Sequence, residues 1–232
     1  MLFSYPDSPE AHINPRMILL DLDGTLADSL SVMRVAYRVF LKQFQRKPTD
    51  AEFDSLNGPP FLEVVRHLKF IHALQETEDI LLSIYSDIID RAYTDVKPAD
   101  GALDLLKKAK EHCCTIGIVT SNTRKRTQTW LETVRLSHMI DFIVSGEEAT
   151  NGKPHPAPYI MALKKASCDP NEIVAIEDSP QGAQSAVNAG LKTLVLGHGT
   201  AEYFWPKGVE PISSLSQAIE RLFINESKCD VH

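Results

Sequence analysis

The chain has 232 residues, 43% of them hydrophobic and 24% charged, a globular composition that excludes a disulfide-stapled miniprotein, a collagen-like repeat and wholesale disorder. That length exceeds the roughly 100 to 150 residues of a typical domain, so one large domain or a core with a modest insertion is expected. With 24 Lys and Arg against 31 Asp and Glu, the formal net charge of -7 repels a nucleic-acid backbone.

Cys113 and Cys114 are adjacent, while Cys168 and Cys229 stand alone, so neither a CxxC metal pair nor a disulfide framework can be drawn. Buried or inert thiols in a cytoplasmic protein are expected. No apolar run approaches the roughly 20 residues that cross a bilayer, so no membrane partner is expected.

Residues 1–15 hold Pro6, Pro9 and Pro15 with little periodicity, and read as an arm without chemistry. Met17-Ile18-Leu19-Leu20, cut off by Asp21, predicts a strand buried on both faces. Residues 28–98 then carry several helical patterns and no such run, which predicts an all-helical insertion. Its hinges fall just after Asp28 and around Lys97-Pro98, and Leu56-Asn57-Gly58-Pro59-Pro60-Phe61 interrupts it with turn chemistry. A helix follows from near Ala99. Further apolar runs at 115–119, 142–144, 172–176 and 193–196 end in Thr120, Ser145, Glu177 and Gly197, with helical spacing between them. Strand alternating with helix predicts an α/β fold, a Rossmann-like doubly wound parallel sheet, with 16–27 and 99–226 as core, 28–98 as helical insertion and 227–232 as a tail.

In such a sheet ligands bind beyond the carboxyl ends of the strands. Standing there are Asp21-Leu22-Asp23-Gly24-Thr25, Thr120-Ser121-Asn122 and Glu177-Asp178-Ser179, with Lys153 in the loop Asn151-Gly152-Lys153-Pro154. Three carboxylates gathered from Asp21, Asp23 and Asp178 would repel by about 4 kcal/mol per pair at about 4 Å and an effective dielectric of about 20, so a cation is required. Oxygen-only donors suit Mg²⁺, and Lys153, Thr120 and backbone N–H groups suit phosphate. Singly, each segment also reads as a turn or helix cap, and Lys153 as a surface lysine; their convergence argues for chemistry. His155 and His198 read as turn or packing residues. Lys164-Lys165 and Arg124-Lys125-Arg126 read as solvated helix faces, except that Arg124 follows the Thr120 loop closely enough to reach an anionic substrate.

Asp21-Leu22-Asp23-Gly24-Thr25-Leu26 with Asp28-Ser29, then Thr120, Gly152-Lys153-Pro154 and Ile176-Glu177-Asp178-Ser179, resemble the four motifs of the haloacid dehalogenase superfamily over about residues 16–226. The helical insertion after the first motif resembles the cap of its phosphoglycolate phosphatase and β-phosphoglucomutase branch. The resemblance implies Asp21 as nucleophile, forming an aspartyl-phosphate, and Asp23 as acid and base. It implies Mg²⁺ held by the Asp21 side chain, the Asp23 backbone carbonyl and Asp178, with Gly24, Thr120, Ser121, Asn122 and Lys153 around the phosphoryl group. Gly58 and Pro59 fall in its specificity loop. Gly182 departs from it, standing where many relatives place an acid; Glu177 is the candidate to compensate as a supporting or water-mediated ligand, with Ser179 beside it. The implied activity is Mg²⁺-dependent hydrolysis of a small phosphorylated metabolite by a monomer or homodimer. The alternatives are a phosphomutase, a pyrophosphatase and a non-catalytic phosphate sensor.

Overall fold

A computed structural model describes residues 13–56, 58–197 and 204–223; most of the anticipated arm, His198 and the anticipated tail lie outside them. Six strands, β1 (Met17–Leu20), β2 (Thr115–Val119), β3 (Phe142–Val144), β4 (Ile173–Glu177), β5 (Lys192–Leu196) and β6 (Val209–Ile212), form one sheet in the order β3-β2-β1-β4-β5-β6. Every ladder is parallel. The chain winds outward in both directions from β1 and β4, which makes their junction the point where strand order reverses. Leu20 pairs with both Ile118 and Ile176, so β1, β2 and β4 end level.

Four helices fill the stretch between residues 28 and 98: α1 (Leu30–Gln43), α2 (Asp50–Ser55), α3 (Phe61–His72) and α4 (Glu78–Tyr93). Thr49 and Thr77 cap α2 and α4 by accepting the N–H of Glu52 and Ile80. On α4, Leu81, Tyr85, Ile89 and Tyr93 recur at every fourth position and are all buried, the spacing that lines up one helix face. The Tyr85 ring meets Phe40 of α1 at 5.0 Å and Phe61 of α3 at 6.2 Å between centroids. This insert joins the sheet through two paired linkers: the Asp28 N–H donates to Lys97 O and the Ala99 N–H to Leu26 O, both at 2.9 Å.

Five helices flank the sheet: α5 (Ala102–Glu111), α6 (Arg124–Thr133), α7 (Ala157–Leu163), α8 (Pro180–Asn188) and α9 (Leu215–Leu222). Alternation along each strand divides its side chains between two layers. Ile18, Leu20, Ile116 and Ile118 pack with Leu105, Trp130 and Leu222 on one face. Met17, Leu19, Ile173 and Ala175 pack with Tyr159, Ala162 and Ala186 on the other.

Two local expectations need correction. The helix expected from near Ala99 begins at Ala102, behind Gly101 at φ 77°, a left-handed conformation that glycine adopts without a Cβ clash. Strand β6 was not legible, because Val-Glu-Pro-Ile has no continuous apolar run; the sheet tolerates Pro211 there because β6 is an edge strand. Cys113 is exposed. Cys114 is buried, donates to Pro15 O at 2.8 Å, and has its thiol pushed up to about 11 by that burial. Among the described residues no helix is long and apolar enough to cross a membrane.

Candidate active site

Asp21 is the first residue beyond β1, and its N–H continues the ladder to Ile176 O at 3.0 Å. Glu177 closes β4 and Asp178 follows it, so two adjacent strand ends aim three acids at one point. Carboxylate oxygens of Asp21, Glu177 and Asp178 all lie within 4.8 Å of one another, and all three residues are buried. Lys153 enters this cluster from the loop before α7. Its ammonium donates to Asp21 Oδ1 at 2.5 Å, Glu177 Oε1 at 2.5 Å and Val119 O at 2.9 Å, and the residue is 2% exposed.

Two tight gaps make the cluster possible. Gly24 sits at φ 82°, and a Cβ there would collide with the Asp178 carboxylate. A Cβ at Gly182 would collide with the Glu177 carboxylate. The glycine that departs from the family pattern therefore leaves room for Glu177, whose other partners are the Tyr159 hydroxyl at 2.7 Å and the Ser179 hydroxyl at 3.3 Å. Ser179 also caps α8 by accepting the Gly182 N–H at 3.1 Å.

Electrostatics follow from that count of charges. Burial pushes the Asp21 carboxyl well above the usual carboxylate range; Lys153 opposes the shift, and Glu177 and Asp23 add to it. Burial alone would lower the Lys153 ammonium, but Asp21 and Glu177 hold it above its ordinary value. One ammonium does not neutralise three carboxylates, and each pair at 4.8 Å repels by about 3.5 kcal/mol at an effective dielectric of about 20. The oxygen-only donor set and its excess negative charge fit a hard divalent cation.

Asp23 is not in the cluster. Its Oδ1 accepts from the Ser29 hydroxyl at 2.7 Å and the Tyr93 hydroxyl at 2.8 Å, and its Oδ2 accepts from the Asn122 amide at 3.0 Å. This leaves its main-chain carbonyl for the metal role that the resemblance implies. Thr120 lies just past β2, 2% exposed, with its hydroxyl oxygen accepting the Asn122 N–H at 3.0 Å. Ser121 donates its hydroxyl to Gly58 O at 2.6 Å, fastening the α2–α3 loop to the core. A cavity of about 60 Å³ lies above these groups, lined by Asp21, Asp23, Thr120, Ser121 and Asp178 from the core and by Gly58 and Pro59 among other residues of the insert.

Two of the expected residues have their side chains engaged within the protein. The amide nitrogen of Asn122 holds Asp23, and its oxygen accepts from the Thr123 N–H at 2.9 Å and Arg126 at 2.7 Å. Arg124 points away from the cavity, donating to Glu148 at 2.6 Å and Ile143 O at 2.8 Å. The arginine turned inward is Arg126, read from sequence as part of a solvated face but only 6% exposed. It bridges Asn122 to Asp90 of α4, the latter at 2.7 Å. Arg126 stands four residues after Asn122, a spacing that could have flagged the pair; Tyr93 and Tyr159 gave no signal beyond helical periodicity. His155 is exposed and closes a turn, its Nδ1 accepting the Ala157 N–H at 3.1 Å.

The family described as haloacid dehalogenase-like hydrolase matches residues 18–196. Pyrophosphatase PpaX of Oceanobacillus iheyensis is 24% identical, with 84% of this chain and 90% of that protein aligned. Phosphoglycolate phosphatase 1 of Pseudomonas aeruginosa is 29% identical over 80% of this chain and 70% of its own length. Among solved structures, β-phosphoglucomutase of Clostridium difficile shares the fold at a TM-score of 0.77 and 20% identity, covering 88% of this chain and 92% of its own. With most of the chain under the family match, and phosphatases among its relatives, this protein is an enzyme belonging to the haloacid dehalogenase-like hydrolases.

Proposed function

We propose that this enzyme hydrolyses phosphate monoesters of small metabolites through an aspartyl-phosphate on Asp21. The observation that carries the reading is the buried Asp21 carboxylate, 2.5 Å from the Lys153 ammonium and opening onto a cavity rimmed by Thr120 and Ser121. An Asp21 oxygen attacks phosphorus as the ester P–O bond breaks, and Asp23 gives its proton to the departing oxygen. Water then attacks the same phosphorus and yields a proton to Asp23, so that inorganic phosphate leaves and Asp21 is restored. Lys153 offsets the charge of the nucleophile, while the Thr120 hydroxyl and the Ser121 N–H hold phosphoryl oxygens. Positioning and charge stabilisation carry most of the work in a loose phosphoryl-transfer transition state.

Asp21, Asp178 and the Asp23 main-chain carbonyl are the groups that would hold Mg²⁺, with Glu177 kept beside them by Lys153, Tyr159 and Ser179. When bound, Mg²⁺ supplies positive charge to the phosphoryl oxygens. We assign the helices between Asp28 and Lys97 as a cap that excludes water while closed and releases product when open. The unbridged Cys113, Cys114 and Cys168 support a reducing, cytoplasmic setting.

The test is phosphate release from a panel of phosphoglycolate, sugar phosphates, simple alkyl phosphates and pyrophosphate, with Mg²⁺ and with chelator. Asp21→Asn is expected to abolish turnover while binding phosphate; full activity in that variant would sink the nucleophile assignment. A silent wild type that still binds phosphate would favour the sensor reading.

A further inference from the structure

The cavity above Asp21 has two unlike halves. On the core side its lining is polar and acidic; on the insert side it is formed by Leu30, Met33, Phe53, Leu56, Phe61 and Val64. Tyr85 is the one side chain with a polar atom that the insert adds among the described lining residues. The residue is 3% exposed. No Lys, Arg or His lines the cavity among the described residues. Arg126 lies behind the wall, its guanidinium 5.1 Å from the Phe61 ring centroid, already bonded to Asp90, Asn122 and Ser86 O.

The cations of the site, Lys153 and the Mg²⁺ that the core acids would hold, lie on the phosphoryl side, so a second anionic group on the ester side would meet the apolar walls of the insert, losing hydration without gaining a cation of its own. The cavity between these halves is small, about 60 Å³, which favours a short ester chain.

We infer that the ester group accepted here is short, uncharged and largely apolar, with Tyr85 as partner for a single hydroxyl or carbonyl: a phosphate monoester of a small neutral alcohol, in preference to a carboxylated, bisphosphorylated or pyrophosphate substrate. The inference rests on the phosphatase reading above for its chemistry and on the cavity lining for its selectivity.

Isobutyl phosphate and phosphoglycolate have nearly the same shape, a dimethyl carbon in one replacing the carboxylate in the other. In the wild-type enzyme kcat/KM is expected to be at least about tenfold higher for isobutyl phosphate, since rejecting a buried, unpaired charge is what the lining does. Equal values, or preference for phosphoglycolate or pyrophosphate, would overturn the inference while leaving a phosphatase. Met33→Arg, which places a cation in the apolar half, should narrow the ratio by about tenfold; an unchanged ratio in the folded variant counts against the assignment. Tyr85→Phe should lower kcat/KM about fivefold more for 3-hydroxypropyl phosphate than for butyl phosphate. If no ester releases phosphate the hydrolase reading fails, and calorimetric binding of the same isosteric pair decides separately. Tighter isobutyl phosphate then keeps the cavity assignment, and tighter phosphoglycolate removes it.

Discussion

Lys153 holds its place because three acceptors converge on a residue that is only 2% exposed. A methionine of similar length would fill the volume without the charge. Lys153→Met therefore leaves Asp21 and Glu177 buried without their shared cation, a loss of about 3 to 5 kcal/mol. In a chain of this size that corresponds to a fall in Tm of about 10 °C, read by calorimetry, with phosphate release lost in parallel. Neighbouring glycines matter at the same scale. Gly24 and Gly182 are the spaces into which the Asp178 and Glu177 carboxylates fit. Asp21, Lys153 and Asp178 were legible as a set because each follows a strand or loop at the same end of the sheet. The fate of Asn122 was not, since an amide beyond a strand can face a ligand or a neighbour, and here Asp23 and Arg126 take both its ends.

Between elements, α4 and the start of α6 are joined across the two halves of the molecule. Asp90 and Tyr93 stand one turn apart on α4; Asp90 binds Arg126, which binds Asn122, which binds Asp23, while Tyr93 reaches Asp23 directly. The insert thus holds the Asp23 carboxylate by two routes. Removing the guanidinium by Arg126→Ala loosens Asn122 and unpairs Asp90, a cost of about 1.5 to 3 kcal/mol for hydrogen bonds to a charged group. The expected result is a kcat reduced at least about tenfold with a modest fall in Tm, because the site is disordered more than the fold. Steady-state kinetics with a thermal melt checks it; wild-type kcat in a folded variant would remove Arg126 from the positioning of Asp23. The Trp130 indole adds a third tie, donating to Val96 O at 2.9 Å beside the returning linker.

At the scale of the whole molecule, the fold spends apolar packing to hold like charges together, and a cation is the term that relieves them. Mg²⁺ at about 100 times its dissociation constant should raise stability by about 2.7 kcal/mol, seen as a higher Tm that chelator reverses. Asp178→Ala should abolish that shift, and a Tm indifferent to Mg²⁺ in the wild type would remove the cluster as a metal site. The sequence by itself determined the α/β class, the places where β1 to β5 run, the helical stretch between Asp28 and Lys97, and the four segments that meet at the site. It could do so because buried parallel strands are written as short apolar runs with a polar residue at the end that faces the ligand. Tertiary structure decided the rest: β6, whose proline-bearing edge carries no such run; the inward Arg126 over the outward Arg124; and the apolar wall that faces Asp21 across the cavity. Those depend on which surfaces are brought together across long separations in the chain, and no local pattern of residues records that.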